Sequence, residues 1–383
     1  MARLEDVFTI SSGGTPDKRQ RNYYEAGTIP WVKTGDLKGK YVSYNIECIT
    51  KEGLKNSSAK TFPIGTVLVA MYGATIGACS ILDFEASTNQ ACAACLPTSE
   101  VLSEYLYYFL CSKKEVFTRN GVDKAQPNIS AGYLKKFPFD VISLDIQRQI
   151  VLILNKVSDL ISLRKQQLAK LDELVKVRFV EMFGDPIQNP FGWTKKPLLE
   201  MGYCKNGMNF HTGDSGIEMH CLGVGDFKDY SVIDGTDYLP TISLNEAPPE
   251  ERMLQDGDIV FVRSNGNKSL VGRCLVVYPR KTPTTYSGFC IRYRLTSGEV
   301  NPAYLLRVLK TDSMRKKMLG RGANIQNLNQ QILATLDIPT PPLKLQEQFA
   351  TFVEQTGKSK LTIQQSLDKL KVLKKSLMQE YFG

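Results

Sequence analysis

KLDELVKVRFVEMFG (170–184) and KLKVLKKSLMQEYFG (369–383) are two versions of one stretch. Shifting the chain by 199 residues aligns Tyr105–Gly184 with Tyr304–Gly383 without a gap, and 18 of the 80 pairs are identical. Tyr105/Tyr304, Gly121/Gly320, Asn128/Asn327, Gln147/Gln346 and Phe183/Phe382 are among them. A period of 20 to 50 residues would indicate a solenoid, whereas a period near half the chain indicates two copies of one module. Upstream the copies match more loosely. VKTGDLKG (32–39) aligns with LGVGDFKD (222–229), and GTVLVAMYG (65–73) with GDIVFVRSNG (257–266). Each copy therefore has a variable front and a better-kept back.

The back of each copy predicts a long helix. Residues 145–183 contain neither Pro nor Gly, and Ile146, Ile150, Ile153, Val157 and Leu160 follow alternating steps of four and three, as do Leu171 and Leu174. That spacing is a coiled-coil seam. Gly184-Asp185-Pro186 stops the helix. After PTPPLK (339–344), Leu345, Phe349, Phe352, Ile363, Leu367, Leu370 and Leu377 repeat the seam, weakened in its middle by Thr356 and Gly357. Neither stripe can be buried by its own helix. The economical arrangement pairs the two helices antiparallel about a pseudo-two-fold axis; the alternative packs each helix only on its own domain. Residues 1–144 and 185–344 are rich in Gly, Pro and short β-type runs such as TVLVAMY, DIVFVR and RCLVVY, followed by short helical patterns. The reading is α+β: domains at 1–144 and 185–344, spacer helices at 145–184 and 345–383.

Composition narrows the function. The chain has 383 residues, 42% hydrophobic and 23% charged, the balance of an ordinary globular protein. No run of 18 apolar residues exists, so no membrane span is expected. MARLEDVF lacks the apolar core of a signal peptide. With nine irregularly spaced cysteines, this leads us to expect reduced thiols and a cytoplasmic location. Net charge is +9, compatible with nucleic acid. Basic residues cluster at KRQR (18–21), RSNGNKSLVGR (263–273), RYR (292–294) and RKKMLGR (315–321), mixed with Gly, Asn, Ser and Tyr. One cluster alone would be a solvated face; four point to a phosphate-contacting surface.

Complete catalytic sets are missing from the sequence. The two histidines, His211 and His220, have no nucleophile elbow to serve and read as polar loop residues. CAAC (92–95) lacks a second pair of ligands for zinc and reads as a buried strand. GNKS (266–269) lacks the P-loop frame. QNPFG (188–192) has one proline where the base-holding box of amino-methyltransferases has two, and reads as a linker turn. A recognition subunit fits better than an enzyme.

SGGTP (12–16), YYEAGTIPWVKTGDL (23–37), YGATIG (72–77), TNQAC (88–92) and QPNIS (126–130), followed by a long helix ending in EMFGDP, resemble the specificity subunit of type I restriction–modification systems. The second half repeats the layout with GVGDF (223–227), VRSNGNKSLVG (262–272) and IQNLN (325–329), but has NGMNF (206–210) in place of SGGTP and no IPW. The resemblance implies two target recognition domains reading the halves of a split double-stranded DNA site, held apart by the helices. It also implies docking of two modification subunits, which carry S-adenosylmethionine, while this chain binds no cofactor. Two restriction subunits can join to cleave.

On that reading the DNA-binding candidates of the first domain are Gly13, Gly14, Thr15, Lys33, Thr34, Tyr72, Gly73, Thr75, Asn89 and Gln90. The glycines would let a loop approach DNA, and the others can reach phosphates or base edges. Those of the second domain are Arg263, Ser264, Asn265, Asn267 and Lys268, since Arg favours guanine and Asn adenine in the major groove. Asn128 and Asn327 read as structural. The competing functions are a self-contained DNA methyltransferase or nuclease, and a coiled-coil scaffold without a DNA role.

Overall fold

Val67–Ala70 is buried on every side chain, and its residues alternate between two cores. The computed structural model describes residues 2–119, 128–211, 213–227, 231–319 and 327–383. Gly121, Gly320, Gln126, Pro127, Lys228, Asp229, Ile325, Gln326 and Arg321, which the sequence motifs include, lie outside the described residues. The chain divides into two compact units. One runs to Lys165 and takes in Gln365–Gly383; the other is Gln166–Gln364.

In the first unit Ile10–Ser12, Cys92–Cys95, Val67–Ala70 and Cys79–Ile81 form an antiparallel sheet in that order. Val67, Val69, Ala93 and Cys95 face one core, with the helix Ser103–Ser112; Leu68, Ala70, Cys92 and Ala94 face the other. Alternation between two buried faces explains why a run such as VLVA carries no polar residue. The small residues of CAAC are all buried. Over the second core lies a sheet in the order Cys48–Ile49, Ile29–Val32, Ala86–Thr88 and Thr61–Phe62, in which Trp31 and Val32 pair in parallel with Ser87 and Thr88.

The second unit repeats this α+β plan with longer strands. Gly202–Asn206, Cys290–Leu295, Asp258–Val262, Cys274–Tyr278 and Val232–Asp234 make one sheet; Thr241–Leu244, Ile217–Leu222 and Thr284–Tyr286 make the other. Ile259 and Phe261 face one core, Val260 and Val262 the other. In each unit a glycine in the left-handed region starts the central strand: Gly65 (φ 86°) and Gly257 (φ 89°).

The long helices span Leu144–Phe183 and Leu343–Phe382, about 60 Å each at 1.5 Å per residue. Gly184, at φ 73°, ends the first, its N–H bonded to Val180 O at 2.8 Å. The second passes through Thr356 and Gly357 without a break. Each helix begins in one unit and ends in the other. In the first unit Ile150, Val151 and Leu154 share a core with Leu377, Met378, Tyr381 and Phe382. In the second, Val175, Phe179, Met182 and Phe183 share one with Leu345, Phe349, Phe352 and Val353. The start of one helix thus lies with the end of the other, an antiparallel pairing. Direct helix–helix contacts in the second unit include Phe179 on Phe349, 5.5 Å between centroids, and an ion pair from Lys360 to Asp172 at 2.5 Å.

The repeated stretch now has a physical role. Phe183 packs on Tyr304, and Phe382 on Tyr105, at 4.7 and 5.3 Å between centroids. Each copy of the repeat supplies a phenylalanine that closes the unit containing the other copy's tyrosine.

Most of the expected seam of the first helix faces water. Ile150 and Val157 are buried, but Ile146, Ile153, Leu160 and Leu174 are exposed. The buried stripe is Gln147, Ile150, Val151, Leu154 and Val157, because the globular core, as well as the other helix, sets the inward face. Gln147 is fully buried: Oε1 accepts from Leu102 N–H at 2.8 Å, and Nε2 donates to the Glu100 and Ile142 carbonyls at 2.9 and 2.8 Å. Gln346 repeats the clamp with Asn301 N–H and the Glu299 and Pro341 carbonyls at 2.8, 3.0 and 2.7 Å.

Candidate nucleic-acid interface

At one end of each unit's central strands the backbone builds the same frame. In the first unit Met71 N–H donates to Ala91 O at 2.9 Å, Ile129 N–H to Met71 O at 3.0 Å, and Asn89 N–H to Val32 O at 3.0 Å. Tyr72 is bridged to Asn128. In the second, Arg263 N–H donates to Phe289 O at 2.8 Å, Leu328 N–H to Arg263 O at 2.8 Å, and Ser287 N–H to Leu222 O at 3.0 Å. Ser264 is bridged to Asn327. A 3-10 turn follows in each, Gly73–Thr75 and Lys268–Leu270, and then a glycine at positive φ, Gly77 (73°) and Gly272 (74°).

This frame gathers most of the first-domain candidates. Thr15 Oγ1 donates to Gln90 Oε1, and Asn89 Oδ1 accepts from Ala91 N–H at 3.2 Å. Tyr72 is 40% exposed, and Gly73 (φ 68°) has open space where a Cβ would lie. The Thr75 hydroxyl turns inward to Tyr72 O at 3.4 Å. Lys33 follows the strand Ile29–Val32, with its ammonium 2.5 Å from Glu47 Oε2. Thr34 opens a 3-10 turn, which Asp36 fastens by accepting the Lys33 N–H at 2.8 Å. Asp226 does the same for Gly223 N–H at 2.8 Å. The GDL and GDF motifs are therefore turn-holding devices.

Gly13 and Gly14 have a different reason to be glycine from the one the sequence suggested. Both are buried, and a Cβ on Gly13 would lie 1.9 Å from Thr88 O, one on Gly14 2.2 Å from Ser58 Oγ. The close approach they permit is to their own unit. Gly207 is likewise pressed against Ser287 O, at 2.1 Å.

In the second unit the Arg263 guanidinium reaches Gly288 O at 3.3 Å. Asn265 Oδ1 accepts from Asn267 N–H at 2.8 Å, and Asn267 Oδ1 from Ser269 N–H at 3.1 Å. The loop is thus stiffened by its own asparagines while Asn267 and Lys268 stay exposed. Arg315 braces it from beneath, donating to Ser269 O at 2.7 Å.

Two basic clusters serve the fold. Arg292 is fully buried under the Tyr203 ring, 4.7 Å away, and donates to Glu251 O at 2.9 Å. Arg294 grips buried Asp258 with two bonds of 2.8 Å. RYR is therefore internal, because Arg292 and Arg294 alternate with the core residues Ile291 and Tyr293. Arg315 is occupied as described. KRQR remains exposed, with Arg19 paired to Asp17 at 2.8 Å.

Three neighbours of the loops are not among the candidates, two of them, Asn128 and Asn327, because the sequence read them as structural. Asn128 and Asn327 are exposed beside them, the buried member of each segment being Ile129 or Leu328. Their identity in both copies was the available signal. Phe289, 60% exposed, gave none.

No group of three or more His, Cys, Asp or Glu could hold a metal among the described residues. The Cys92 and Cys95 thiols are pushed up to about 12 by burial, the opposite of a thiolate ligand. His220 lies on the strand Ile217–Leu222 rather than in a loop, with Nδ1 2.8 Å from Leu239 O. Asn189, at φ 51°, ties the QNPFG turn by two bonds to the Trp193 backbone. No helix among the described residues is long and apolar enough to cross a membrane.

The sequence model of the type I restriction modification DNA specificity domain matches residues 1–173 and 236–373. The chain belongs to that family. It is a specificity subunit, the non-catalytic DNA-recognition component of a restriction–modification system. It is similar to the StySPI specificity subunit of Salmonella potsdam, 26% identical over 92% of this chain and 81% of that one. The EcoKI specificity subunit of Escherichia coli K12 is 23% identical over 93% and 81%. The fold is shared with the type I S subunit from M. genitalium at TM-score 0.56, 15% identity and coverage of 100% and 95%. A chain in a structure of type I R-M complex assembly and conformational transition gives TM-score 0.62, 15% identity and coverage of 100% and 96%.

Proposed function

We propose that each unit of this specificity subunit reads one half of a split double-stranded DNA site through the loop that follows its central strand. The observation that carries this reading is the duplicated frame. The same backbone bonds and bridge fix Tyr72, which leads into Gly73 and Thr75, in one unit and Ser264, which leads into Asn265, Asn267 and Lys268, in the other. A fixed frame with changed side chains is what two different half-sites require. Lys33, Thr34, Asn89, Gln90 and Thr15 flank the first loop. Arg263 and Lys268 give the second its positive charge, Arg263 addressing a guanine edge and Lys268 a phosphate.

The long helices keep apolar side chains in water, among them Leu152, Leu163 and Val372 in the first unit and Val177, Val180 and Leu361 in the second. Two modification subunits, each bringing S-adenosylmethionine, dock there, and two restriction subunits join the complexes that cleave. The setting is the cytoplasm, where the DNA is. Spacer segments at 145–184 and 345–383 then separate recognition domains at 1–144 and 185–344.

The test is to assemble the chain with its modification subunits, let it methylate DNA and sequence the motif. Replacing 262–272 with the corresponding loop of a relative should change the second half-site and leave the first intact. An unchanged motif from an active complex would refute the assignment of that loop.

A further inference from the structure

The strands Asp258–Val262 and Cys290–Leu295 pair Phe261 with Ile291 and Val262 with Cys290. The register continues one step further, since Arg263 N–H donates to Phe289 O. Arg263 and Phe289 therefore stand opposite each other. Because side chains alternate along strands, they share the face that carries Phe261 and Ile291. In the first unit the equivalent bond joins Met71 to Ala91. A cation and an aromatic ring thus replace a buried methionine and an alanine at the same point of the frame.

The Phe289 backbone is fixed on every side. Its carbonyl accepts from both Arg263 and Ser264, its N–H donates to Ser287 Oγ at 3.3 Å, and Gly288 N–H donates to Met208 O at 2.7 Å. Yet the ring is 60% exposed and stacks on no other ring among the described residues. A rigidly held phenylalanine left in water opposite Arg263 adds little to folding. It has the form of a pre-set contact. Among the groups that base edges display in the major groove, the apolar one is the thymine 5-methyl.

We infer that Phe289 is a specificity-determining residue of the second half-site, its ring packing on the 5-methyl group of a thymine beside the base pair that Arg263 addresses. This rests on the DNA reading proposed above.

The experiment uses the full complex with its modification subunits and duplexes carrying the methylated motif. Each thymine of the second half-site is replaced in turn by uracil, which lacks only the methyl. Methyl transfer is followed as kcat/KM. For the wild type, one replacement should lower it about fourfold, the worth of one buried methyl. Phe289→Ala should lose at least that factor on thymine DNA and be indifferent to uracil at that one position. Phe289→Leu should keep part of the response. Uracil in the first half-site should affect both proteins alike, and thermal unfolding of the variants should match the wild type. The inference is overturned if Phe289→Ala keeps the wild-type uracil response. It is equally overturned if no uracil matters and the variant is weak on every duplex, the pattern of a stacking wedge. A wild-type complex with no sequence preference at all would instead overturn the DNA reading itself.

Discussion

Replacing Gln147 or Gln346 should loosen a long helix from its domain. Each glutamine makes three hydrogen bonds from a fully buried side chain, one to a backbone N–H and two to carbonyls. At about 1 kcal/mol net per bond, Gln346→Ala should cost about 3–4 kcal/mol once its buried methylene is included. Gln147→Ala should cost less, about 2–3 kcal/mol, because Ile142 is half-buried where its counterpart Pro341 is buried, which lets water replace one partner. Gln→Met separates the contributions: it keeps the volume and should lose nearly as much as Gln→Ala, since the loss is polar. Gln346→Glu should be worse than Ala at neutral pH, with a carboxylate facing two carbonyls. Burial would raise the folded-state pKa of that carboxyl, so the variant should regain stability as pH falls. Urea unfolding followed by far-UV circular dichroism measures each loss. The two clamps sit in different units, so the double variant should show the sum to within about 0.5 kcal/mol. Losses below about 1 kcal/mol in both single variants, against the value that three buried bonds imply, would refute the clamp.

Gly13→Ala should destabilise the first unit by about 1–3 kcal/mol through overpacking against Thr88, whereas Gly35→Ala, with open space around it, should be neutral in the same melt. Arg263→Ala should weaken recognition of the second half-site alone, by about 1–3 kcal/mol, read from methylation of single-base variants; an equal loss on all sequences would make the contact a phosphate one. Lys268→Ala should weaken binding on all sequences and reduce the salt slope by about one ion, measured as affinity against salt concentration. Inserting four residues after both Lys170 and Lys369 should lengthen each helix by about 6 Å and widen the methylated motif by about two base pairs. Motif sequencing decides it, and an unchanged gap from a stable, active variant would refute the ruler.

The helices and the duplication were legible because they are patterns over many residues. The long helix expected at 145–183 runs Leu144–Phe183. Its inward face was not legible: a buried glutamine looks like any solvated one, and Ile153 and Leu160 look like seam residues until the domain claims another side of the helix. The candidate loops were chosen by their Gly, Asn and Arg content, which depends on local chemistry alone. RYR was misread because a one-dimensional pattern does not distinguish an arginine facing water from one facing Asp258. Gly13 and Gly14 were misread for a related reason, since a glycine signals a close approach and leaves unsaid what approaches.

The placement of Phe382 beside Tyr105 has a consequence for biosynthesis. The unit that runs to Lys165 also needs Gln365–Gly383, whereas the other unit is one continuous segment. The ribosome therefore completes the later segment first. At typical elongation rates the early domain waits on the order of tens of seconds for its closing helix. During that interval Tyr105, Phe109 and Phe139, which finally pack with Phe382, lack their cover and are exposed to chaperones and proteases. A stop codon near position 365 would therefore leave every residue of the second unit in place and remove part of the first.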